Sequence, residues 1–256
     1  MNWNEFLDAM QGWGIARLDP KSFAPLDYAT QVKPRQYLDF ANKDLLLATD
    51  HGYVNALSNA KRAIDCQIFN LLSILGLRVA GNIHKRIERI EGVSILAPRI
   101  LKKVNKIRNL LEHEFQKPSV DEAEDAVDIA TLFVEATDKV FVNFMDSFWI
   151  AREGSENRPA VIKENGRTIF IDDELPKFTF ADGLYIEYDT KTRDYGIWGF
   201  LGNEEVLEAE VKRGSPLHIE LLRLSILNHH TNLEYEDDVA ANEFVGRVRG
   251  KDGISL

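Results

Sequence analysis

The chain has 256 residues, of which 45% are hydrophobic and 28% are charged, an ordinary composition for a globular protein of one large or two modest domains. The formal net charge of -10 argues against a protein that coats nucleic acid, because such binding depends on phosphate neutralisation by Lys and Arg. We recognise no secretory signal or membrane span, and the single cysteine, Cys66, excludes an internal disulfide and a cysteine-based zinc site. We therefore expect a cytoplasmic protein.

The charge is distributed unevenly along the chain. Between Arg78 and Arg108, nine basic residues stand against Glu88 and Glu91, so this segment carries +7 and the rest of the chain carries -17. A local positive face on an acidic body would suit a protein that touches a short piece of RNA or an acidic partner. Solvated helix faces are the alternative interpretation of the same residues.

The N-terminal half has the spacing of helices. Residues 1–33 contain several prolines and glycines, which predict a brief helix followed by an extended arm. A capping box at residues 119–122 predicts the start of a long helix that continues toward Trp149. Apolar residues that recur every three or four positions predict further helices over 34–47, 54–75, 82–90 and 98–115.

After Gly154 the pattern changes to short β-prone runs, which places a domain boundary near residues 152–158. Residues 216–230 fit either a helix or a strand, with the helix favoured, and the acidic residues from Thr231 onward predict a partly ordered tail. The aromatic residues of this half are expected to form its core, with a base-stacking surface as the alternative. The predicted strands cover 160–163, 168–171, 177–180, 184–188, 196–201 and 205–211.

The sequence Arg108-Asn109-Leu110-Leu111-Glu112-His113 is the strongest candidate for chemistry. On a helix Asn109 and His113 lie one turn apart, and Arg108 can reach them with its long side chain, so the three can meet around one anion. Cleavage of RNA without a metal needs a base, an acid and a cation beside the phosphate. Histidine can act as base or acid near neutral pH, and arginine offers a fork of donors to phosphate. One histidine per chain favours a homodimer whose two motifs form a composite site.

These residues carry a resemblance to a known family. HEPN ribonucleases have an arginine, a polar residue, three variable residues and a histidine, and Arg108, Asn109 and His113 match this pattern. The resemblance covers residues 35–150. It implies a helical bundle, metal-independent RNA cleavage, dimers, and a place in a toxin-antitoxin or antiviral defence system, with an antitoxin as a possible protein partner. It also implies no cofactor and no metal.

Two alternatives stand beside this hypothesis. Arg108 and Glu112 are four residues apart and could form a surface ion pair, which would leave His113 as a residue near a helix end. The helical part could also be a non-catalytic dimeric scaffold or binding protein, because fold does not imply activity.

The sequence thus predicts an α+β fold with an N-terminal HEPN-like all-α bundle followed by a smaller β-rich C-terminal module. The predicted domains are an arm at residues 1–33, a helical domain at 34–152 and a β-rich module at 155–256. The predicted function is that of an endoribonuclease with Arg108, Asn109 and His113 as its catalytic residues and RNA as its substrate.

Overall fold

A computed structural model describes residues 1–10, 16–95, 117–152, 160–164, 167–171, 182–202, 204–227 and 234–250. The chain divides into two compact units. One comprises residues 24–144 and is called the helical unit. The other comprises residues 1–23 and 145–256 and is called the sheet unit.

The helical unit is held by contacts among its longer helices. Helix α2 packs on α3, and both pack on α5. Side-chain caps define where three helices begin: Thr49 accepts from the Gly52 N–H, Asn82 from the Lys85 N–H, and Ser119 from the Glu122 N–H. The described helices of this unit are α2 (Pro34–Leu45), α3 (Asp50–Ile74), α4 (Ile83–Gly92) and α5 (Val120–Val142).

The sheet unit contains a five-stranded sheet in the order β1-β2-β5-β6-β7 and a separate two-stranded hairpin, β3-β4. The pairs β2–β5, β5–β6 and β6–β7 are antiparallel. The strands are β1 (Ala16–Ala24), β2 (Phe144–Arg152), β3 (Ala160–Glu164), β4 (Arg167–Ile171), β5 (Gly183–Tyr188), β6 (Tyr195–Leu201) and β7 (Glu204–Val211).

Three helices belong to the sheet unit, namely α1 (Trp3–Met10), α6 (Pro216–Leu227) and α7 (Glu234–Gly250). Helix α1 places the buried Phe6 ring against Gly199 of β6. On α6, Ser225 shares a hydrogen bond of 2.8 Å with the Tyr195 hydroxyl of β6. On α7, the Asn242 side chain pairs with the backbone of Ala16 in β1. Helix α1 therefore packs on a strand, and α6 and α7 are hydrogen-bonded to strands.

The predicted fold class, an N-terminal all-α bundle followed by a smaller β-rich module, is wrong. The structure is mixed α/β, and its helices lie at both ends of the chain. The first strand, β1, pairs with β2 at one edge of the sheet, so the start of the chain belongs with the C-terminal strands. The reason is that a strand must satisfy its backbone N–H and C=O groups on a neighbour, however distant in sequence. The units are separated after Phe23 and Phe144, whereas the predicted domains began at residues 34 and 155.

Two predicted elements also differ from the structure. The long helix predicted to reach Trp149 ends at Val142, and residues 144–152 form strand β2. The tail predicted from Thr231 is helical over α7. The helix predicted over residues 216–230 is confirmed for Pro216–Leu227.

Candidate functional site

The predicted catalytic residues Arg108, Asn109 and His113 lie outside the described residues, as does the whole segment 96–116. The structure describes the helices on either side of it: α4 ends at Gly92, and α5 begins after Ser119. The predicted capping box is confirmed, since Ser119 accepts from the Glu122 N–H and Glu122 accepts from the Ser119 N–H. The predicted strand at 177–180 also lies outside the described residues.

A buried carboxylate organises the polar interior of the helical unit. Asp138 accepts hydrogen bonds from the Tyr28 hydroxyl at 2.5 Å, the Arg35 Nε at 2.6 Å and the Gln67 Nε2 at 3.0 Å. Burial, followed by the bond to Asp138, raises the pKa of Tyr28 well above its ordinary value. The side-chain bond to Glu135 is the largest contribution that raises the pKa of Arg35. Both groups therefore keep their protons, and Asp138 serves as a structural acceptor.

The lone cysteine lies beside this polar cluster and is a structural residue. The Cys66 thiol donates to the Val32 carbonyl at 3.3 Å and lies 3.4 Å from the Thr30 hydroxyl and from the Asn70 amide. Burial raises the pKa of the Cys66 thiol. A raised pKa lowers the thiolate fraction, so Cys66 lacks the activation that a catalytic cysteine needs.

In the sheet unit, the turn from β5 to β6 is stabilised by its own polar groups. The Asp189 carboxylate accepts from the backbone N–H of Lys191 at 2.7 Å and of Thr192 at 3.3 Å. Arg193 has a φ of 66°, in the left-handed region, and its N–H donates to the Asp189 carbonyl at 2.8 Å. These bonds give the six-residue connection a defined shape.

Asp194 joins this turn to the one between β7 and α6. Its carboxylate accepts from the Lys212 Nζ at 3.1 Å and from the Arg213 backbone N–H at 2.8 Å. Burial works to raise the pKa of Asp194, but the bonds from Arg213 and Lys212 outweigh it and hold the pKa below its ordinary value. The aspartate is therefore ionised at neutral pH and fixes the two turns to each other.

An open pocket of about 600 Å³ lies between these two turns. Its lining residues carry three positive charges and one negative charge: Lys191, Thr192, Asp194, Lys212 and Arg213. We call it the turn pocket. Such a concentration of positive charge on a protein of net charge -10 can attract an anion.

His218 of α6 supports the turn pocket from inside the unit. Its side chain is fully buried, and its Nε2–H donates to the Arg193 carbonyl at 3.0 Å. This bond fixes the tautomer and leaves the Nδ1 lone pair without a partner among the described residues. Burial lowers the pKa of His218 to about 4, so the imidazole is neutral at neutral pH. Its role is to hold the Arg193 carbonyl, and with it the turn.

A buried ion-pair cluster joins the two C-terminal helices. The Glu220 carboxylate, with 4% of its side chain exposed, accepts from the Arg223 Nη1 at 2.7 Å and from the Arg247 Nε at 2.8 Å. Arg247 also reaches Glu243 one helical turn away. Because Arg223 and Glu220 lie on α6 and Arg247 on α7, this cluster fixes the position of α7 on α6.

The described part of the chain contains no group of three or more His, Cys, Asp or Glu side chains placed to hold a metal ion. Within the same ranges, no helix combines the length and apolar character needed to cross a membrane.

Comparison of the chain with protein-family models, with curated proteins and with solved structures gave no match. The resemblance to HEPN ribonucleases therefore depends on the residues of the Arg-Asn-x3-His sequence alone.

The sequence reasoning missed the turn pocket. The available signal was the pair of basic turns, Lys191-Thr192-Arg193 and Lys212-Arg213, each next to a predicted strand. Only the register of β5, β6 and β7 places the two turns at the same end of the sheet, where Tyr195 of β6 pairs with both Tyr188 and Val211.

Proposed function

We propose that the protein is a cytoplasmic, metal-independent endoribonuclease in which Arg108, Asn109 and His113 act on the scissile phosphate. The observation that carries the proposal is the spacing of these residues within the most basic segment of an otherwise acidic chain. His113 acts as the acid or base, Arg108 stabilises the crowded phosphate, and Asn109 orients either the substrate or His113.

Two other reactive groups, both described in the helical unit, already have structural roles. The buried Asp138 and the half-buried Cys66 are engaged in hydrogen bonds and do not compete with His113 for the catalytic role.

A homodimer completes the proposed site. Cleavage by transfer to the ribose 2′-hydroxyl needs both a base and an acid, while each motif supplies one histidine. Two chains related by a two-fold axis would bring His113 of both copies to one RNA strand. A role in a toxin-antitoxin or defence system, with an antitoxin partner, is part of the proposal through the HEPN resemblance.

Cleavage of RNA by the purified protein in excess chelator tests this function. We expect the wild type to leave cyclic phosphate ends, and we expect His113→Ala and Arg108→Ala to abolish cleavage. The matched controls replace exposed residues of the same types elsewhere in the chain, His51→Ala on α3 and Arg17→Ala on β1, and should cleave at the wild-type rate. Cleavage that persists in both His113→Ala and Arg108→Ala would remove this motif from the mechanism.

A non-catalytic binding protein is the second candidate function. The turn pocket favours it, because this pocket presents positive charge to solvent and its carboxylate, Asp194, is engaged by Lys212 and Arg213. The two candidates differ in one outcome. An enzyme releases cleaved RNA, whereas a binding protein returns every RNA intact across a varied set of sequences.

A further inference from the structure

We propose that the turn pocket binds the phosphate group of a nucleotide-sized ligand. This inference concerns the sheet unit and does not depend on the proposed ribonuclease motif, which lies in the helical unit. It is carried by the positive charge of the lining residues, the bonds that fix them, and the size of the pocket.

Lys191 and Arg213 are the proposed phosphate contacts. Both side chains are exposed, both line the pocket, and neither has a carboxylate partner among the residues that the structure describes. A guanidinium can offer two parallel N–H donors to a phosphate, and an ammonium adds a compact charge. Thr192 adds a hydroxyl proton, because its oxygen already accepts from the Asp194 N–H at 3.3 Å.

The carboxylate of Asp194 is the one lining group that would repel an anion. Its oxygens are occupied by the Lys212 Nζ and the Arg213 N–H, and the residue is only 8% exposed. Lys212 pairs with both Asp194 and Glu210, so its charge is already balanced by carboxylates and the proposal does not require it to contact the ligand. Asp194 therefore acts as a positioning residue that fixes the two basic turns at the distance set by its bonds.

The dimensions of the pocket indicate more than a free inorganic ion. A volume of about 600 Å³ leaves room for more than the phosphate group of an ester, and the open pocket would hold only that end of the ligand. The open side of the pocket would leave the rest of the ligand in contact with solvent. The shared chemistry is a phosphate ester, which could belong to a free mononucleotide or to the backbone of an RNA strand.

Titration of the 256-residue chain with three probes tests the proposal: inorganic phosphate, adenosine monophosphate and a labelled single-stranded RNA hexamer. Calorimetry measures the first two, and fluorescence anisotropy measures the third. We expect saturable binding of at least one ester probe, tighter than inorganic phosphate. The double variant Lys191→Ala/Arg213→Ala should weaken this binding by at least about tenfold, the loss expected when charge-assisted bonds are removed.

The matched control is Lys21→Ala, which removes one positive charge from the exposed part of β1 in the same unit. Lys21→Ala should leave the dissociation constants unchanged. If binding were only a nonspecific attraction between the protein's positive charges and the anionic probe, Lys21→Ala would weaken it as well. Tighter binding of adenosine monophosphate would identify a free nucleotide as the source, and tighter binding of the hexamer would identify an RNA backbone.

Absence of saturable binding by all three probes would overturn the proposal, as would binding that the double variant leaves intact. The ribonuclease proposal is tested separately by its cleavage products. The hexamer titration is done in the His113→Ala background, with and without Lys191→Ala/Arg213→Ala, so that the probe stays uncut and only the turn pocket differs between the two proteins. The double variant Lys191→Ala/Arg213→Ala is checked for folding by its tryptophan fluorescence, which reports on the sheet unit. A binding defect in a folded double variant supports the phosphate site whether or not the protein cleaves RNA.

Discussion

The two units stabilise their polar interiors in opposite ways. The helical unit directs three donors to one carboxylate, Asp138, so it depends on an acceptor whose hydrogen bonds are all made within the unit. The sheet unit holds the neutral His218 under its basic turns, so it depends on an imidazole that stays unprotonated. The comparison shows that a buried titratable group can stabilise either unit, provided that its protonation state matches its hydrogen-bond partners.

The units can be followed by different spectroscopic signals. All four tryptophans of the chain, Trp3, Trp13, Trp149 and Trp198, fall within the sequence ranges of the sheet unit. Tryptophan fluorescence therefore follows the unfolding of that unit. Far-UV circular dichroism is weighted toward the helical unit, which contains the long helices α3 and α5.

The largest expected effect is that of Asp138→Ala on the helical unit. The substitution leaves the Tyr28 hydroxyl without its acceptor. It also removes one of the two acceptors of the Gln67 amide and one of the two carboxylates that pair with Arg35. We expect the free energy of unfolding to fall by about 3–5 kcal/mol, because three hydrogen bonds to a mostly buried carboxylate are lost and two of their donors keep another acceptor. Urea denaturation followed by circular dichroism measures the change.

The control for this prediction is Glu135→Ala. Glu135 pairs with the same Arg35, but its side chain is 50% exposed, so its removal should cost less than about 1 kcal/mol. Equal decreases in the free energy of unfolding for Asp138→Ala and Glu135→Ala would mean that the contribution of Asp138 to stability does not depend on its burial. In Asp138→Ala, the midpoint of urea unfolding should decrease when followed by circular dichroism and not when followed by tryptophan fluorescence. Equal decreases by the two signals would mean that the units do not unfold separately.

The next largest effect is the pH dependence caused by His218. Its pKa in the folded protein is about 4, below the ordinary value of 6.5, so the unfolded chain binds the proton first as the pH falls. The free energy of unfolding of the sheet unit should therefore decrease from neutral pH to about pH 4, by roughly 3 kcal/mol, and this contribution should then level off. Tryptophan fluorescence during urea denaturation at several pH values measures it.

The variant His218→Gln isolates this contribution. The glutamine amide can donate to the Arg193 carbonyl but does not titrate in this range, so the decrease in stability toward acid should become shallower. His51→Gln, at an exposed histidine of the helical unit, serves as the control and should keep the wild-type profile. An unchanged profile in His218→Gln would assign the acid sensitivity to other groups.

Packing in the sheet unit gives a third and smaller effect, at Gly199. A Cβ atom at this position would lie 2.5 Å from Cε2 of Phe6, whose ring is fully buried and has little room to move. Gly199→Ala should cost about 1–3 kcal/mol, as overpacking usually does. The control, Gly246→Ala in α7, meets open space and should be neutral or slightly stabilising.

A double-mutant cycle with Phe6→Leu tests the proposed clash. The smaller side chain makes room for the new methyl group, so the cost of Gly199→Ala should be lower in the Phe6→Leu background. Additive effects of the two substitutions would contradict the packing of α1 on β6. The readout is the tryptophan transition in urea.

The sequence was sufficient to predict elements whose signals are local. The apolar spacing of α3 and the capping box of α5 predicted these helices, and the strands from Gly183 to Val211 were found from their β-prone runs. Strand β1 was missed because Pro20 and the charged residues beside it resemble a loop. Proline is tolerated at this position because β1 lies at the edge of the sheet.

The remaining errors come from interactions over long distances in sequence. Strand β2 was predicted as helix because Phe144 continues the apolar spacing of α5, and burial of both faces of β2 removes the alternation typical of a strand. Helix α7 was predicted as a tail because of its acidic start, although Ala241, Phe244 and Val248 have helical spacing. The turn pocket depends on Asp194 and strand register, which no local pattern shows.

The smallest expected effect is that of Ser119→Ala at the start of α5. The serine accepts from the Glu122 N–H, so the substitution removes one half of the capping box and should lower the free energy of unfolding by about 1 kcal/mol. The control is Ser58→Ala, whose hydroxyl donates to a carbonyl within α3 and caps no helix end. Because Ser119 directly follows the segment that carries Arg108 and His113, the variant also separates stability from activity. If Ser119→Ala is less stable but cleaves RNA at the wild-type rate, the motif does not need this cap. If the cleavage rate falls under conditions where the variant is still fully folded, the start of α5 positions the catalytic residues.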